Sequence, residues 1–170
     1  MTEATVEVST EGTVATLTMN YPARRNALSI PLREALHDRM AEAMADPAIR
    51  ALVLTGAEGV FSAGGDISGM EGITPLGGRT RLNRLHRLVR LMIGGEKPVI
   101  AAVEGYAVGA GLSLAAACDV VVAAEDAVWA CSFNRIGLLP DMGAIWTLPA
   151  RMGLGRARRI MLTSERFSTA

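Results

Sequence analysis

The chain has 170 residues, of which 50% are hydrophobic and 4% aromatic, and its 17 basic and 17 acidic side chains cancel. This length suits one domain, residues 1–170, whose core needs no cross-links. A formal net charge of zero excludes a global attraction to nucleic acid or to an anionic membrane. Cys118 and Cys131 lack the spacing of a disulfide or zinc framework, so we expect two reduced, buried thiols and no metal site.

The N-terminal sequence lacks the basic-then-apolar plan of a signal peptide. Glu104 and Asp119 interrupt the most apolar stretch, residues 98–124, and the uncharged run between them is too short to span a bilayer. We therefore expect a cytoplasmic protein with no membrane partner.

The first half of the chain begins with strand patterns and a hairpin turn at Glu11-Gly12. The predicted strands of this half are residues 6–9, 14–19 and 50–55. Ser29 is a predicted helix N-cap, and apolar residues then recur every four positions until Asp46-Pro47 ends the helix. The glycine-rich stretch that continues to Gly78 is predicted to be a loop.

The second half alternates helices with strands. The predicted helices are residues 82–92, 112–118, 145–152 and 155–162. The predicted strands are residues 99–103 and 119–123, with a further extended segment at 128–133 and a turn at 105–111. This alternation indicates an α/β fold. Ser168 and Thr169 are typical of a helix cap, so we expect a helical segment to follow them.

Two glycine-rich turns are candidates for ligand binding. Residues 60–67 follow one buried strand, and residues 104–111 follow another and open a helix. Glycine lets backbone N–H groups approach a ligand, and N–H groups at a helix start carry positive partial charge. Two such turns facing one point would make an oxyanion hole. From these residues alone, two tight strand-to-helix connections explain the pattern equally well, and neither turn fits a nucleotide-binding fingerprint.

Seven short segments, in order and at family spacing, resemble the enoyl-CoA hydratase/isomerase (crotonase) superfamily. They are residues 26–28 (NAL), 52–56 (LVLTG), 61–67 (FSAGGDI), 97–103 (KPVIAAV), 105–111 (GYAVGAG), 118–119 (CD) and 136–141 (IGLLPD). The resemblance implies an α/β spiral of ββα units that assembles as a homotrimer or a dimer of trimers. It also implies an acyl-CoA substrate whose thioester carbonyl accepts hydrogen bonds from the N–H groups of Gly65 and Ala110. A C-terminal helical segment that closes the acyl pocket in the family is apparently missing here.

The chain departs from the family hydratases at both catalytic carboxylates. The resemblance places their two glutamates at Ser113 and Phe133, and these side chains cannot orient water and deliver a proton. Asp141 remains, at a position where the resemblance is closest to members that shift double bonds. A single carboxylate can move a proton from the carbon beside the thioester to the carbon two positions along. We therefore expect an isomerase with Asp141 as base; the alternative for Asp141 is a turn or helix-cap aspartate.

Other functions are compatible with the resemblance. They are hydration, dehalogenation or thioester hydrolysis of a CoA substrate, and a non-catalytic CoA-binding or assembly subunit. Ser113 also suggests the nucleophile of distantly related Clp-type proteases, but no His–Asp partnership is visible to activate it.

The phosphates of CoA require local positive charge, since the chain as a whole has no net charge. By resemblance, one of Arg24 and Arg25 contacts the nucleotide end of CoA, and the backbone of Ala63, Asp66 and Ile67 lines the path of the adenine and pantetheine. Coenzyme A enters as part of the substrate, and no further cofactor is expected. Two other sets of side chains are predicted to have no catalytic role: a solvated arginine face and two structural histidines. They are Arg79, Arg81, Arg84, Arg87, Arg90, His37 and His86.

Overall fold

The computed structural model describes residues 4–68, 70 and 72–169. Residues 1–3 and 170, the two ends of the predicted domain, lie outside the described residues. The strands are β1 (Thr5–Glu11), β2 (Val14–Asn20), β3 (Ala51–Gly56), β4 (Val99–Val103), β5 (Tyr106–Val108), β6 (Val120–Ala123), β7 (Val128–Ala130) and β8 (Arg166–Ser168). The helices are α1 (Ile30–Ala45), α2 (Pro75–Gly94), α3 (Ala110–Ala117), α4 (Ala144–Met152) and α5 (Leu154–Thr163). The predicted α/β class is confirmed.

The larger sheet has the order β1-β2-β3-β4-β6. The first pair is the predicted antiparallel hairpin, and every later neighbour is parallel. Parallel strands require a crossover connection between them, which is why helices or long turns separate β2, β3, β4 and β6 along the chain.

The strands of a second, smaller layer follow the same order along the chain as the strands of the larger sheet. The chain passes from β4 into β5 and from β6 into β7. Strands β5 and β7 pair in parallel, and β8 pairs antiparallel with β7. Earlier turns contribute single parallel bridges, from Leu28 to Gly65 and from Ser62 to Ala107. Each turn of the chain therefore lies against the next in both layers, which is the spiral that the resemblance implies.

The helices bury the apolar stripes that the sequence predicts. In α1, the Ser29 side chain accepts a hydrogen bond from the Leu32 N–H at 3.3 Å, and Leu32, Leu36 and Met40 are fully buried. All eight residues of α3 are buried. Small side chains permit this close packing: a Cβ at Gly111 would lie 2.7 Å from the Ser62 carbonyl oxygen. The packing presses the start of α3 against the loop that follows β3.

Three local predictions are wrong at their boundaries. Helix α2 begins at Pro75 inside the predicted loop, because the Thr74 hydroxyl caps the Gly77 N–H at 3.1 Å and proline suits a first helical turn. The predicted extended segment 128–133 ends at Ala130 and continues as a 3-10 helix from Ser132 to Ile136. The predicted turn 105–111 contains β5 and the start of α3.

The residues of the predicted helix cap lie at the end of the described chain. Ser168 pairs with Val128 in β8, and the Thr169 hydroxyl accepts a hydrogen bond from the Trp129 indole at 3.0 Å. Both residues therefore hold a strand to the second layer, and their role as a cap stays a prediction.

Both cysteines are free and buried, as predicted. Burial raises the pKa of Cys118 to about 12 and that of Cys131 to about 11, so both thiols stay protonated and unreactive at neutral pH.

Candidate active site

The two glycine-rich turns lie side by side in the second layer. The Ser62 N–H donates to the Tyr106 carbonyl at 2.8 Å, and the Val108 N–H donates back to the Ser62 carbonyl at 3.1 Å. Gly64 comes so close to β5 that a Cβ there would lie 2.6 Å from the Val108 oxygen, and its φ of +107° also requires glycine. A Cβ at Gly65 would lie 3.9 Å from the Ala110 Cβ. The turns thus bring Gly65 and Ala110 together.

The N–H groups of Gly65 and Ala110 are available for a ligand. Ala110 is the first residue of α3, and the Tyr106 carbonyl that lies four residues before it already accepts from Ser62. At the first turn, the neighbouring N–H groups of Gly64 and Asp66 are bonded to Ser62 Oγ and the Leu28 carbonyl. The Gly65 N–H lies between these two groups in sequence, and within the described part of the chain it has no hydrogen-bond partner. Two unpaired donors at one point are the arrangement that an oxyanion needs.

Asn26 holds the first turn in place. This fully buried residue has a positive φ of 53°; its amide donates to the carbonyls of Ala57 and Val60, and its side-chain oxygen accepts from the Tyr21 N–H. Its own carbonyl accepts from the Ser62 hydroxyl at 2.8 Å. Each group is buried and paired, so Asn26 explains physically why the NAL segment accompanies the glycine-rich turn.

A cavity of about 960 Å³ opens in front of the two donors. Gly65, Ala110 and Asp141 all line it, although they come from three separate turns of the chain. Much of the remaining lining is apolar and includes Leu28, Ile67, Ile73, Leu82, Leu85, Phe133, Ile136, Leu138 and Leu139. The cavity therefore combines an apolar container, two backbone donors and a carboxylate.

Asp141 is a half-buried carboxylate whose Oδ1 is shielded from solvent and has no hydrogen-bond partner. Its side chain is no helix cap: α4 has Gly143 as its N-cap without a side-chain bond, and only the Asp141 carbonyl accepts, from Ala144. Burial raises the pKa of Asp141 above its usual value, against the lowering effect of the nearby charges of Arg33 and His86. An unpaired carboxylate held in this way is a candidate base.

This raised pKa predicts a pH-dependent cost to stability. The folded state holds the Asp141 proton more tightly than the unfolded state, so the protein loses stability as pH rises from about 4, the ordinary aspartate value, through the folded pKa. We expect Asp141→Asn to unfold at a higher denaturant concentration than the unaltered protein at about pH 8, with the difference shrinking towards about pH 4. Urea titrations at both pH values measure it; a variant that is less stable at high pH would contradict the assignment.

The two positions of the family's glutamates differ in their surroundings. Ser113 is fully buried in α3, and its hydroxyl donates to the Gly109 carbonyl at 3.3 Å. It is not among the residues that line the cavity. Phe133 is buried and does line the cavity. Neither residue supplies a carboxylate or a free nucleophile beside Gly65 and Ala110.

The residues predicted to bind the CoA part of the substrate lie at and beyond the cavity's edge. Ala63 and Ile67 line the cavity, whereas the Asp66 carboxylate accepts from the Ser68 N–H and hydroxyl at 3.0 and 2.7 Å. Arg24 and Arg25 are exposed and lie outside the lining; the Arg25 guanidinium carbon is 5.9 Å from the centre of the Tyr106 ring. The Arg25 carbonyl accepts from the Ala63 N–H, which ties this basic pair to the first turn.

Three basic residues at the cavity have surroundings that the sequence did not predict. His86, predicted to be structural, lines the cavity within electrostatic reach of Asp141. Arg81, predicted to lie on a solvated face, also lines it and donates to the Asp66 carbonyl at 2.9 Å. Arg33, not singled out from the sequence, lines it from α1. The prediction of a solvated face is confirmed for the exposed Arg79, Arg84, Arg87 and Arg90.

No three His, Cys, Asp or Glu side chains among residues 4–68, 70 and 72–169 are grouped so that they could hold a metal ion. Over the same residues, no helix has the length and apolar character needed to cross a membrane.

Solved structures with the same fold are crotonase-type proteins. An enoyl-CoA hydratase from Polaromonas sp. JS666 superposes with a TM-score of 0.91 at 37% sequence identity, covering 97% of this chain and 65% of that one. One from Thermoplasma volcanium GSS1 gives 0.93 at 27% identity, covering 98% and 67%. This chain therefore has the crotonase fold.

The sequence comparison names the family. The enoyl-CoA hydratase/isomerase model matches residues 9–170, and the chain belongs to that family. It is 37% identical to the 1,2-epoxyphenylacetyl-CoA isomerase of Escherichia coli K12 over 91% of this chain, and 38% identical to a probable enoyl-CoA hydratase of Mycobacterium tuberculosis over 92%. The chain spans 61% of the length of each of these relatives.

Proposed function

We propose that this protein binds an acyl-CoA thioester and shifts a double bond in its acyl chain through an enolate, with Asp141 as the base. The observation that carries the proposal is the unpaired, solvent-shielded Asp141 Oδ1 in the same cavity as the free N–H groups of Gly65 and Ala110. A base and an oxyanion hole facing one apolar space are what α-proton abstraction from a thioester requires.

The reaction divides into two proton transfers. The ionised Asp141 takes a proton from the carbon beside the thioester of a 3-enoyl-CoA. The electrons of that C–H bond form a double bond to the thioester carbon, and the π electrons of its carbonyl move onto the oxygen. The N–H groups of Gly65 and Ala110 hold the resulting dienolate. Asp141 then returns the proton to the carbon two positions along, which gives a 2-enoyl-CoA and restores the carboxylate. No water or cofactor is consumed.

Hydration is the second candidate, because relatives of this chain bear the name enoyl-CoA hydratase as well as isomerase. It would require one group to orient water and another to deliver a proton. The two positions expected to supply them hold a buried serine, whose hydroxyl is bonded to Gly109, and a phenylalanine. These contacts favour isomerisation over hydration.

In this proposal, the CoA part of the substrate binds outside the acyl cavity. Arg24 and Arg25 are exposed, so their charges are free to meet the phosphates without a desolvation cost. The backbone of Ala63, Asp66 and Ile67 leads from this pair to the donors at Gly65. We further expect a homotrimer or a dimer of trimers, which light scattering of the purified protein would test.

A turnover panel tests the function directly. The protein is offered 2-enoyl-, 3-enoyl- and aryl-CoA thioesters, and products are followed by chromatography in ordinary and heavy water. We expect conversion of 3-enoyl-CoA to 2-enoyl-CoA, entry of deuterium beside the thioester, and slow hydration. Hydration of 2-enoyl-CoA that outpaces isomerisation would overturn the proposal and support the second candidate.

A further inference from the structure

The Arg151 side chain joins the last turns of α4 and α3. Arg151 belongs to the last turn of α4, and its Nε donates to the Ala116 carbonyl of α3 at 2.8 Å. Its Nη2 donates to the Cys118 carbonyl and, at 3.4 Å, to the Asp119 carbonyl. The last carbonyls of a helix have no partner within that helix. This guanidinium group therefore caps α3 from a neighbouring helix.

The hydrogen bonds of Arg151 go to backbone carbonyls. In the described part of the chain Arg151 forms no ion pair, and the nearby Asp119 carboxylate accepts from the Val99 N–H at 2.8 Å instead. The planar fork of a guanidinium group can hold several carbonyl oxygens at fixed angles, which a lysine ammonium cannot do. Arg151 is exposed, so a different side chain at this position would leave no void in the core. The contact can therefore be removed without disturbing the packing around it.

The opposite ends of α3 and α4 both lie at the acyl cavity. Ala110 begins α3, Ile145 is the second residue of α4, and both line the cavity together with Asp141. Ala116 follows Ala110 by six residues, and Arg151 follows Ile145 by six. At a rise of about 1.5 Å per residue, each helix covers about 9 Å between the cavity and the Arg151 contact. The two helices therefore run side by side in the same direction.

Hydrogen bonds determine where α3 lies along its own axis. All eight of its residues are buried, and six of them are alanine, glycine or serine. Apolar packing of such small side chains is non-directional and resists sliding weakly, whereas a hydrogen bond weakens steeply with distance and angle. At the cavity end, α3 is held by the close approach of Gly111 to the Ser62 carbonyl. At the other end, it is held to α4 by Arg151.

We propose that Arg151 is a positioning residue of the active site, which ties the end of α3 to α4 and so sets the Ala110 N–H at the correct distance from Asp141. This inference rests on the proposed function, in which the Ala110 N–H is an oxyanion donor and Asp141 is the base. The competing role for Arg151 is a helix cap that stabilises the fold and leaves the geometry of the cavity unchanged.

The carbonyl stretching frequency of a bound thioester reports directly on the oxyanion donors. Hydrogen bonds to the oxygen weaken the C=O bond and lower its frequency, so difference infrared spectra of carbonyl-labelled hexanoyl-CoA, free and bound, measure their strength. We expect Arg151→Met to lose about half or more of the frequency shift of the unaltered protein, because the Ala110 donor is displaced. For a 3-enoyl-CoA, kcat should fall by about tenfold to a hundredfold, with KM within about threefold.

Three control variants separate geometry from stability. Ile49→Val shortens a buried side chain outside the acyl cavity, so it should lower stability and leave the frequency shift unchanged. Arg158→Met removes an exposed arginine of α5 outside the cavity and should change neither the shift nor kcat. Arg151→Lys keeps the charge without the fork and should recover part of the shift. Circular dichroism and urea titrations measure the folding and stability of each variant.

Each remaining outcome has a definite meaning. A folded Arg151→Met with the frequency shift and kcat of the unaltered protein would overturn the inference, and so would an equal loss of shift in Ile49→Val. If Arg151→Met does not fold, Arg151→Lys replaces it, and a full shift with full kcat in that variant would contradict the positioning role. Binding of hexanoyl-CoA to the unaltered protein without any shift would refute the oxyanion hole of the proposed function, and this inference with it.

Discussion

Replacement of Asp141 by asparagine is expected to slow isomerisation of a 3-enoyl-CoA by at least about a hundredfold, the low end of what a positioned general base contributes. Asparagine keeps the size and much of the polarity of the side chain but cannot accept a proton at neutral pH. Substrate affinity should be retained, because the residues that bind CoA and the oxyanion donors are unchanged. The loss should therefore fall on kcat with little change in KM.

The measurement follows the conjugated 2-enoyl product by absorbance and deuterium entry beside the thioester in heavy water. Asp126→Asn is the matched control: Asp126 is exposed and outside the cavity, so its amide should leave the rate unchanged. Normal isomerisation by folded Asp141→Asn would remove Asp141 from the mechanism. The search for a base would then turn to Glu104, which is exposed, and to Glu71, which lies outside the described residues.

The pH profile of the same reaction adds a second readout. Because burial raises the pKa of Asp141, the acidic limb of kcat/KM should lie above the ordinary aspartate value of about 4. Activity should fall as pH drops through that limb, since the base becomes protonated. A rate that stays constant down to about pH 4 would contradict a base with a raised pKa.

The resemblance of short motifs predicted which residues lie close together, because those motifs carry backbone geometry. Gly64 and Gly111 have no room for a Cβ, and Asn26 pairs each of its polar groups. Such requirements are local, so the sequence records them directly. They place Gly65 and Ala110 side by side, as predicted, and Asp141 in the same cavity.

Sequence reasoning failed where a residue's environment depends on a distant element. Arg33 and His86 flank apolar stripes, and charged residues there usually face water. Only the packing of α1 and α2 around the cavity shows that these two line it. The pairing of Ser168 with Val128 in another strand was likewise not predicted. No local pattern could have revealed that pairing.

The start of α2 shows a third kind of failure, a competition between local signals. Gly77 and Gly78 each cost a helix about 1 kcal/mol relative to alanine, which favours a loop. The Thr74 cap, worth about 1 kcal/mol, and Pro75 act in the opposite direction. Burial of Leu85, Leu88 and Met92 farther along then stabilises the whole helix. The tertiary contribution decides the outcome, and it is absent from the local sequence.

Replacement of Ala110 by proline is expected to lower kcat by about a hundredfold to a thousandfold, the usual effect of losing one oxyanion-hole donor. Proline has no N–H, so a single substitution deletes the donor. Because Ala110 is the first residue of α3, where proline is best tolerated in a helix, the fold should survive. Ala110→Gly is the matched control, since glycine retains the N–H and should keep the rate within about tenfold at a cost of about 1 kcal/mol in stability.

The two variants distinguish the effect of the N–H donor on the rate from the effect of the side chain. Glycine removes the Cβ next to Gly65 and keeps the N–H, whereas proline keeps a Cβ and removes the N–H. Circular dichroism and a urea titration establish that each is folded before its rate is measured. If folded Ala110→Pro turns over 3-enoyl-CoA as fast as Ala110→Gly, the Ala110 N–H has no part in stabilising the enolate. A loss confined to proline would mean that an N–H at this position, with no contribution from the alanine methyl group, holds the developing negative charge on the thioester oxygen.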